Sequence, residues 1–467
     1  MTMDRSAAES TVDDPTWVDD LLLAGPVAEV CLRLPDPVDR GTLRRLVGEA
    51  QARLTDAGLR PGGAAALRLP PSLAYVVNLL ATWRSGAQAI LLDHRLTDHE
   101  VQRALARLTP QVVVAPVRTG GAALKIFVDV TEGVTAYSDR PAGSPHAVIQ
   151  LSSGSTGPSK VIGRSAASLV AEVRRYTRID GVALPGERII LLPSMVHVLG
   201  LVGGLLYGLH AHVTLVPPDR LSGDAVLAAI AADDTPATVL GVPFHIGLLT
   251  STRPTGPLPQ FRRMTTGGEL VPPAVVTAFV DRFGVPLGNM YGMTEVGVIG
   301  TDLYGWHRPA IAPAPGITVR ESATGELWVS CPDSPYVGLS DPDRWADGWL
   351  HTRDAGTVDP GTGLVTVRGR LDSQVLRRRD EGRPHRGRGH PRRAARRRRR
   401  RGRARRRHHR VRAAGRAVVG GGAGEAARRA ARRLQAAPHP APARPAAPHH
   451  HRQAGPLDRG VAGGHAV

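Results

Sequence analysis

Two stretches of this chain place side chains where they could do chemistry. The first, LSSGSTGPSK from Leu151 to Lys160, follows the apolar run AVIQL and gathers hydroxyls, two glycines and a cation into one short loop. Gly154 and Gly157 would let backbone N–H groups approach an anion closely, Ser152, Ser153, Ser155 and Thr156 can donate hydrogen bonds, and Lys160 adds positive charge. A Ser/Gly-rich surface turn has the same composition, and the Gly-Lys-Ser/Thr ending of a Walker loop is absent. The second, GNMYGMTEVG from Gly288 to Gly297, offers the flat face of Tyr291, the Asn289 amide, the Thr294 hydroxyl and the Glu295 carboxylate, a hard oxygen donor suited to Mg2+. Taken singly, a tyrosine is ordinarily half-buried packing and a Thr-Glu pair often opens a helix.

Two further stretches follow in order: GWLHTRDAG, Gly348 to Gly356, and VRGRLDSQV, Val367 to Val375. The four motifs together resemble those of the adenylate-forming, AMP-binding superfamily, specifically its acyl-CoA synthetase type. The resemblance implies that Ser152, Ser153, Gly154, Ser155, Thr156, Gly157 and Lys160 form a phosphate loop, and that Asn289 and Tyr291 receive adenine. It makes Thr294 and Glu295 catalytic, with Glu295 also the Mg2+ ligand. Asp354 would hold the ribose hydroxyls, Arg370 would contact the nucleotide, and Asp372 would be the pivot of a mobile lid. Two departures stand out: Gly157-Pro158-Ser159-Lys160 where the family has Gly-x-Pro-Lys, and Arg353 where the family has glycine.

Two other segments are similar to the family's acyl-pocket elements. PSMVHVLGLVGGLLYGL, Pro193 to Leu209, brings His197, readable as a pocket residue or as a satisfied core histidine. TTGGEL, Thr265 to Leu270, brings Gly267 to the pocket and Gly268 to the nucleotide. Amino-acid-activating members place an Asp in the first segment, where this chain has Met195, Val196, His197 and Val198. A buried ammonium would go unpaired there, so the expected acid has no α-amino group.

The elements that must position these residues are legible upstream. Leu43, Leu46, Val47, Ala50 and Leu54 recur at helical spacing and stop at Gly58. AAALRLPP, AQAILLD and QVVVAP then read as buried strands, separated by LAYVVNLLATWRSGA and HEVQRALARL as helices. Strand and helix in alternation predict an α/β fold with parallel pairing. A body this long exceeds a single core of about 250 to 300 residues, so the expectation is a large multi-lobed N-terminal domain of the adenylate-forming type over residues 1–369, with a hinge at 370–376. Cys31 and Cys331 are too few for a disulfide framework. The N-terminus is acidic without an apolar run and no membrane-length apolar stretch occurs, which predicts a cytoplasmic protein with no membrane span.

The charge of +19 is uneven. Residues 377–467 carry 28 arginines and 4 acidic residues, leaving 32 basic and 37 acidic groups in the first 376 residues. In place of a C-terminal lid domain stands an Arg/Ala/Pro-rich tail without apolar periodicity, expected to be disordered. The family's lid lysine is absent, because Lys125 and Lys160 are the chain's two lysines. A one-base frameshift accounts for both features. Under codons chosen among synonyms, RRRDEGRPHRGRGH, Arg377 to His390, becomes VGGMKVDLTEVEA, and HHHRQAGP, His449 to Pro456, becomes TTTGKLV. These are similar to the family's first lid segment and its lysine motif. The competing reading, a basic arm for nucleic acid at Arg392 to Arg412, lacks interleaved aromatics and would give non-specific contact alone.

The resemblance therefore implies ATP-dependent activation of a small carboxylic acid to acyl-AMP with Mg2+, then transfer to coenzyme A, or alternatively to a carrier protein's phosphopantetheine, and no specific nucleic-acid partner. A nucleotide-binding pseudoenzyme is the non-catalytic alternative, and without the lid lysine the chain as written is expected to be impaired.

Overall fold

The computed structural model describes residues 15–120, 126–152, 160–253 and 256–371. The arginine-rich tail and the frameshift reading concern residues outside these, as do Asp372 and the interior of the phosphate loop, Ser153 to Gly157.

The first sheet has six strands, in the order Asp129–Ala136, Val112–Gly120, Ala64–Leu67, Gln88–Leu91, Val148–Leu151 and Val161–Arg164. Its four inner strands run parallel, as the alternating pattern predicts, and the two outer ones are antiparallel. Helix Arg40–Asp56 is started by Asp39, whose side chain accepts from Thr42 N–H, and turns Leu43, Val47, Ala50 and Leu54 inward. Helix Leu73–Arg84 is buried from Tyr75 to Trp83, which explains its nearly continuous apolar sequence. Thr97 and Glu100 close a reciprocal capping box on helix Asp98–Leu108.

The second sheet has nine strands. Val30–Leu32, Thr214–Val216, Arg188–Leu191, Ala237–Gly241, Phe261–Gly267 and Leu287–Met293 run parallel, and Gly297–Asp302 returns antiparallel beside the last. Ligands of open α/β sheets lie beyond the carboxyl ends of parallel strands. The Pro193–His197 segment, Val242, Gly268 and Thr294 all follow such ends. The third sheet is antiparallel and contains Val319–Glu321, Glu326–Ser330, Trp345–Ala346, Trp349–Val358 and Val365–Arg370.

A few polar ties join these parts. Arg164, ending a strand of the first sheet, is paired with Glu172 on helix Ala166–Tyr176, and Glu172 Oε1 accepts from Val298 N–H of the second sheet at 2.9 Å. Their side chains are 3% and 0% exposed. Gly163 N–H donates to Pro335 O at 2.9 Å and Val337 N–H to Val161 O at 3.0 Å, docking the third sheet on the same strand. No helix among the described residues is long and apolar enough to cross a membrane.

Removing one partner of a buried pair strands the other charge, so Glu172→Ala is expected to cost about 3–5 kcal/mol. Urea unfolding checks this, and the double variant Arg164→Met with Glu172→Leu should recover most of the loss.

Candidate active site

The third-sheet strand Trp349–Val358 carries Asp354 into the gap above Tyr291. Thr352, 1% exposed, holds it there: its hydroxyl donates to Leu327 O at 2.7 Å and accepts from Asp354 N–H at 3.0 Å. Tyr291 Oη donates to Asp354 Oδ2 at 2.6 Å, and Arg370 Nη1 lies 3.2 Å from Oδ1. Burial raises the Asp354 pKa above the usual carboxylate value, against the pull of Tyr291 and Arg370. Burial likewise pushes the Tyr291 phenol up, and the Asp354 charge adds to it. With Asn289, Gly268 and Arg370 these residues line a cleft of about 740 Å3. A carboxylate, an aromatic face, an amide and a guanidinium in one cleft suit a nucleoside monophosphate.

The phosphate-loop motif spans a hairpin. Strands Val148–Leu151 and Val161–Arg164 pair antiparallel, Ser152 N–H donates to Lys160 O at 3.0 Å, and Lys160 N–H donates to Ser152 Oγ at 3.1 Å. The loop interior lies outside the described residues, but its base is pinned. Thr294 and Glu295 occupy the turn between antiparallel strands Leu287–Met293 and Gly297–Asp302, rather than a helix start. At Gly297, φ is +80° and an added Cβ would lie 2.1 Å from the Glu172 carboxylate, so glycine alone suits this turn.

Tyr336 joins the two motifs and was not read from the sequence. Its hydroxyl donates to Glu295 Oε1 at 3.2 Å, and Lys160 Nζ stands 5.5 Å from its ring centroid. Partial burial, then the Arg344 charge, lowers the Lys160 pKa, with Glu295 opposing. Tyr336 lies in SPYVGLS, a stretch without a motif; only the docking of the third sheet on strand Val161–Arg164 reveals it.

Next to this polar cleft, and sharing Gly268, Met290, Gly292 and Met293 with it, is a second cavity of about 590 Å3. Its wall is mainly apolar, from Leu191, Met195, Val198, Leu199 and Val298 among others, and the described residues lining it include no carboxylate. Gly267 lines it too, at a position where an added Cβ would meet Met290 O at 2.7 Å. His197 faces it with 63% of its side chain exposed, 3.9 Å from Asp93, so it is a wall residue and not a core histidine. Arg95 and His245 are wall residues that the sequence reading missed. Tyr75 Oη donates to Met195 O at 2.9 Å, and the Gln150 amide donates to Val196 O, fixing the His197 segment to the first sheet.

Among the described residues, no three or more His, Cys, Asp or Glu side chains are grouped to cage a metal. Glu295, with one oxygen engaged by Tyr336, fits the other way of holding Mg2+, in which one carboxylate shares the ion with substrate phosphates and water.

Arg353 stands at φ +62°, in the left-handed region that favours glycine. Its N–H donates to Glu326 Oε1 at 2.7 Å, which holds the bend. Arg353→Gly should relieve about 1 kcal/mol of backbone strain and raise the denaturation midpoint. Because the Asp354 pKa is raised and the ionised carboxylate is the better acceptor for ribose hydroxyls, AMP affinity should begin to fall at a pH above the ordinary aspartate range as pH is lowered. Asp354→Asn should weaken AMP about tenfold at neutral pH and flatten that profile, both read by calorimetric titration.

Known proteins share the sequence pattern and the fold of this chain. Residues 41–330 match the family model described as AMP-binding enzyme. The chain is 23% identical over 413 residues to an oxalate–CoA ligase of Arabidopsis thaliana, covering 76% of this chain and 80% of that one. It is 28% identical over 351 residues to an indoleacetate–CoA ligase of Aromatoleum aromaticum, covering 64% and 67%. Among solved structures, ATP-bound MatB from Rhodopseudomonas palustris superposes with a TM-score of 0.66 at 20% identity, covering 77% and 79%. The AMP complex of O-succinylbenzoate coenzyme A synthetase from Bacillus subtilis gives 0.65 at 19%, with the same coverage. With more than half its length matched by that family model, the chain belongs to the AMP-binding enzyme family.

Proposed function

We propose that this chain is the body of an acid–thiol ligase: it activates a carboxylic acid with ATP to an acyl adenylate and passes the acyl group to coenzyme A. The observation that carries the reading is the junction of an apolar cavity with a polar nucleotide cleft at Gly268, Met290, Gly292 and Met293. An acid in the first and ATP in the second would bring carboxylate and α-phosphate together there. The relatives named CoA ligase support the acceptor.

In the first half-reaction a carboxylate oxygen attacks the α-phosphorus, the bond to the β-phosphate bridging oxygen breaks, and pyrophosphate leaves. Tyr291, Asn289, Asp354 and Arg370 would orient the nucleoside and α-phosphate, Thr294 would offer its hydroxyl to phosphate, and Ser152 and Lys160 frame the phosphate loop. Glu295 would hold Mg2+, which when bound neutralises phosphate charge and polarises the P–O bonds. In the second half-reaction a thiol loses its proton to solvent, its sulfur attacks the acyl carbonyl, and AMP leaves with the carbonyl–oxygen bond pair.

The wall composition narrows the acid. With no carboxylate among the described residues lining the cavity, and with the Arg95 cation present, a substrate ammonium would find no charged partner on that wall. This supports an acid without an α-amino group, in agreement with the sequence reading.

Pyrophosphate exchange with a panel of acids tests the activation step. Acids without an amino group should support exchange and amino acids should not. The chain as written, lacking a lid lysine, should exchange at least about a hundredfold more slowly than a version in which the tail frame is shifted by one base. Equal rates would sink the assignment of catalysis to that lysine.

A further inference from the structure

His245 is 6% exposed and lines the apolar cavity, at the start of helix Pro243–Thr250 just beyond the carboxyl end of strand Ala237–Gly241. Its Nδ1 accepts a hydrogen bond from Val242 N–H at 3.0 Å, completing the first turn in which its own N–H donates to Val242 O at 2.8 Å. An imidazole nitrogen that accepts carries no proton, so the ring proton resides on Nε2. Among the described residues Nε2 has no hydrogen-bond partner. The backbone thus fixes both the tautomer and the ring, and the donor that remains belongs to the cavity. Burial pushes the imidazole down to about 4, so near neutral pH it presents one N–H and no charge. Arg95 and His197, the cavity's other nitrogen side chains, attach to the first-sheet wall around Asp93.

A helix-capping histidine needs only Nδ1. A capping role alone gives Nε2 no part; the atom is not among the buried side-chain atoms that lack a partner, so its N–H stays reachable from the cavity for a ligand oxygen. Resting on the reading of this cavity as the acid site, we propose that His245 is a specificity-determining donor, whose Nε2–H selects acids bearing a carbonyl, hydroxyl or ether oxygen on the acyl group over hydrocarbon acids of similar shape.

The test uses the full chain with Mg2+ and ATP and measures affinity for two matched pairs: benzoate against 4-acetylbenzoate, and hexanoate against 5-oxohexanoate. The wild-type chain should prefer the oxygenated member of at least one pair by about tenfold. His245→Phe keeps ring volume and loses the donor, and should bring that ratio close to one. His245→Asp keeps an acceptor for Val242 N–H while losing the donor, so it should lose the preference even if the Phe variant fails to fold. AMP affinity serves as the folding control for both. Parity in the wild type, or a preference that survives in a folded variant, overturns the proposal. If AMP binds and none of the four acids does, the cavity is not the acid site, and the proposal fails with that reading.

Discussion

The arrangement of this site depends on one buried ion pair. Arg164 and Glu172 lie at the junction of two sheets, nearly without solvent, and Glu172 spends its other oxygen on the backbone of Val298. Taking two such charges out of water costs several kcal/mol, and their attraction returns that only when the remaining hydrogen bonds are satisfied. Arg164 satisfies them on Ser168, through both its hydroxyl and its carbonyl. What the pair contributes beyond stability is register. The strand that closes the phosphate-loop hairpin and the strand that follows Thr294 and Glu295 cannot slide relative to one another without separating a buried charge from its partner. The missing side chain at Gly297 is part of the same constraint, since a Cβ there would occupy the space of the Glu172 carboxylate.

Around that junction the protein separates two kinds of solvation. On one side, polar groups are held ready for a charged ligand and are already engaged with one another: Tyr291 and Arg370 with Asp354, Tyr336 with Glu295. Such mutual engagement keeps buried polar atoms paired before a nucleotide arrives and fixes the direction in which they point. On the other side the wall is mainly apolar, and the residues shared by the two spaces are glycines and methionines. Small or unbranched side chains at the boundary leave room for a reacting carboxylate to pass from one environment to the other.

Much of this was legible in the sequence wherever the information was local. Helix Arg40–Asp56 and the parallel strands of the first sheet follow from apolar spacing, and Tyr291, Asp354 and Arg370 follow from motifs whose neighbours in space are also near in type. The strand Asp129–Ala136 was not legible because it is an edge strand with a mixed, half-exposed pattern, which alternation does not mark. Tyr336 and His245 escaped for another reason: Tyr336 meets Glu295, and His245 its cavity, only when elements far apart in sequence come together. GVPFH announces a helix start, with Pro243 at the first helical position, but nothing in it says that the imidazole lines a cavity. Arg353 shows the reverse. The sequence flagged a departure from glycine, and the backbone retains the left-handed conformation that glycine would favour, held by Glu326.

The charges available at the cleft also bear on what the body can do without a lid. Among the described residues Arg368 and Arg370 line the cleft, Arg370 paired with Asp354, and Lys160 stands over the Tyr336 ring. All three can attract phosphates in the ground state. Catalysis requires interactions that strengthen as the bond to the leaving pyrophosphate breaks, when charge accumulates on the bridging oxygen. A cation already paired with Asp354 gains little at that moment, because its hydrogen-bonding directions are partly taken. The resemblance assigns the responsive charge to a lysine beyond residue 371, and this sequence has none there. Nucleotide recognition and adenylation therefore call on different charges: the first on groups of the described body, the second on a lysine that the resemblance places beyond residue 371.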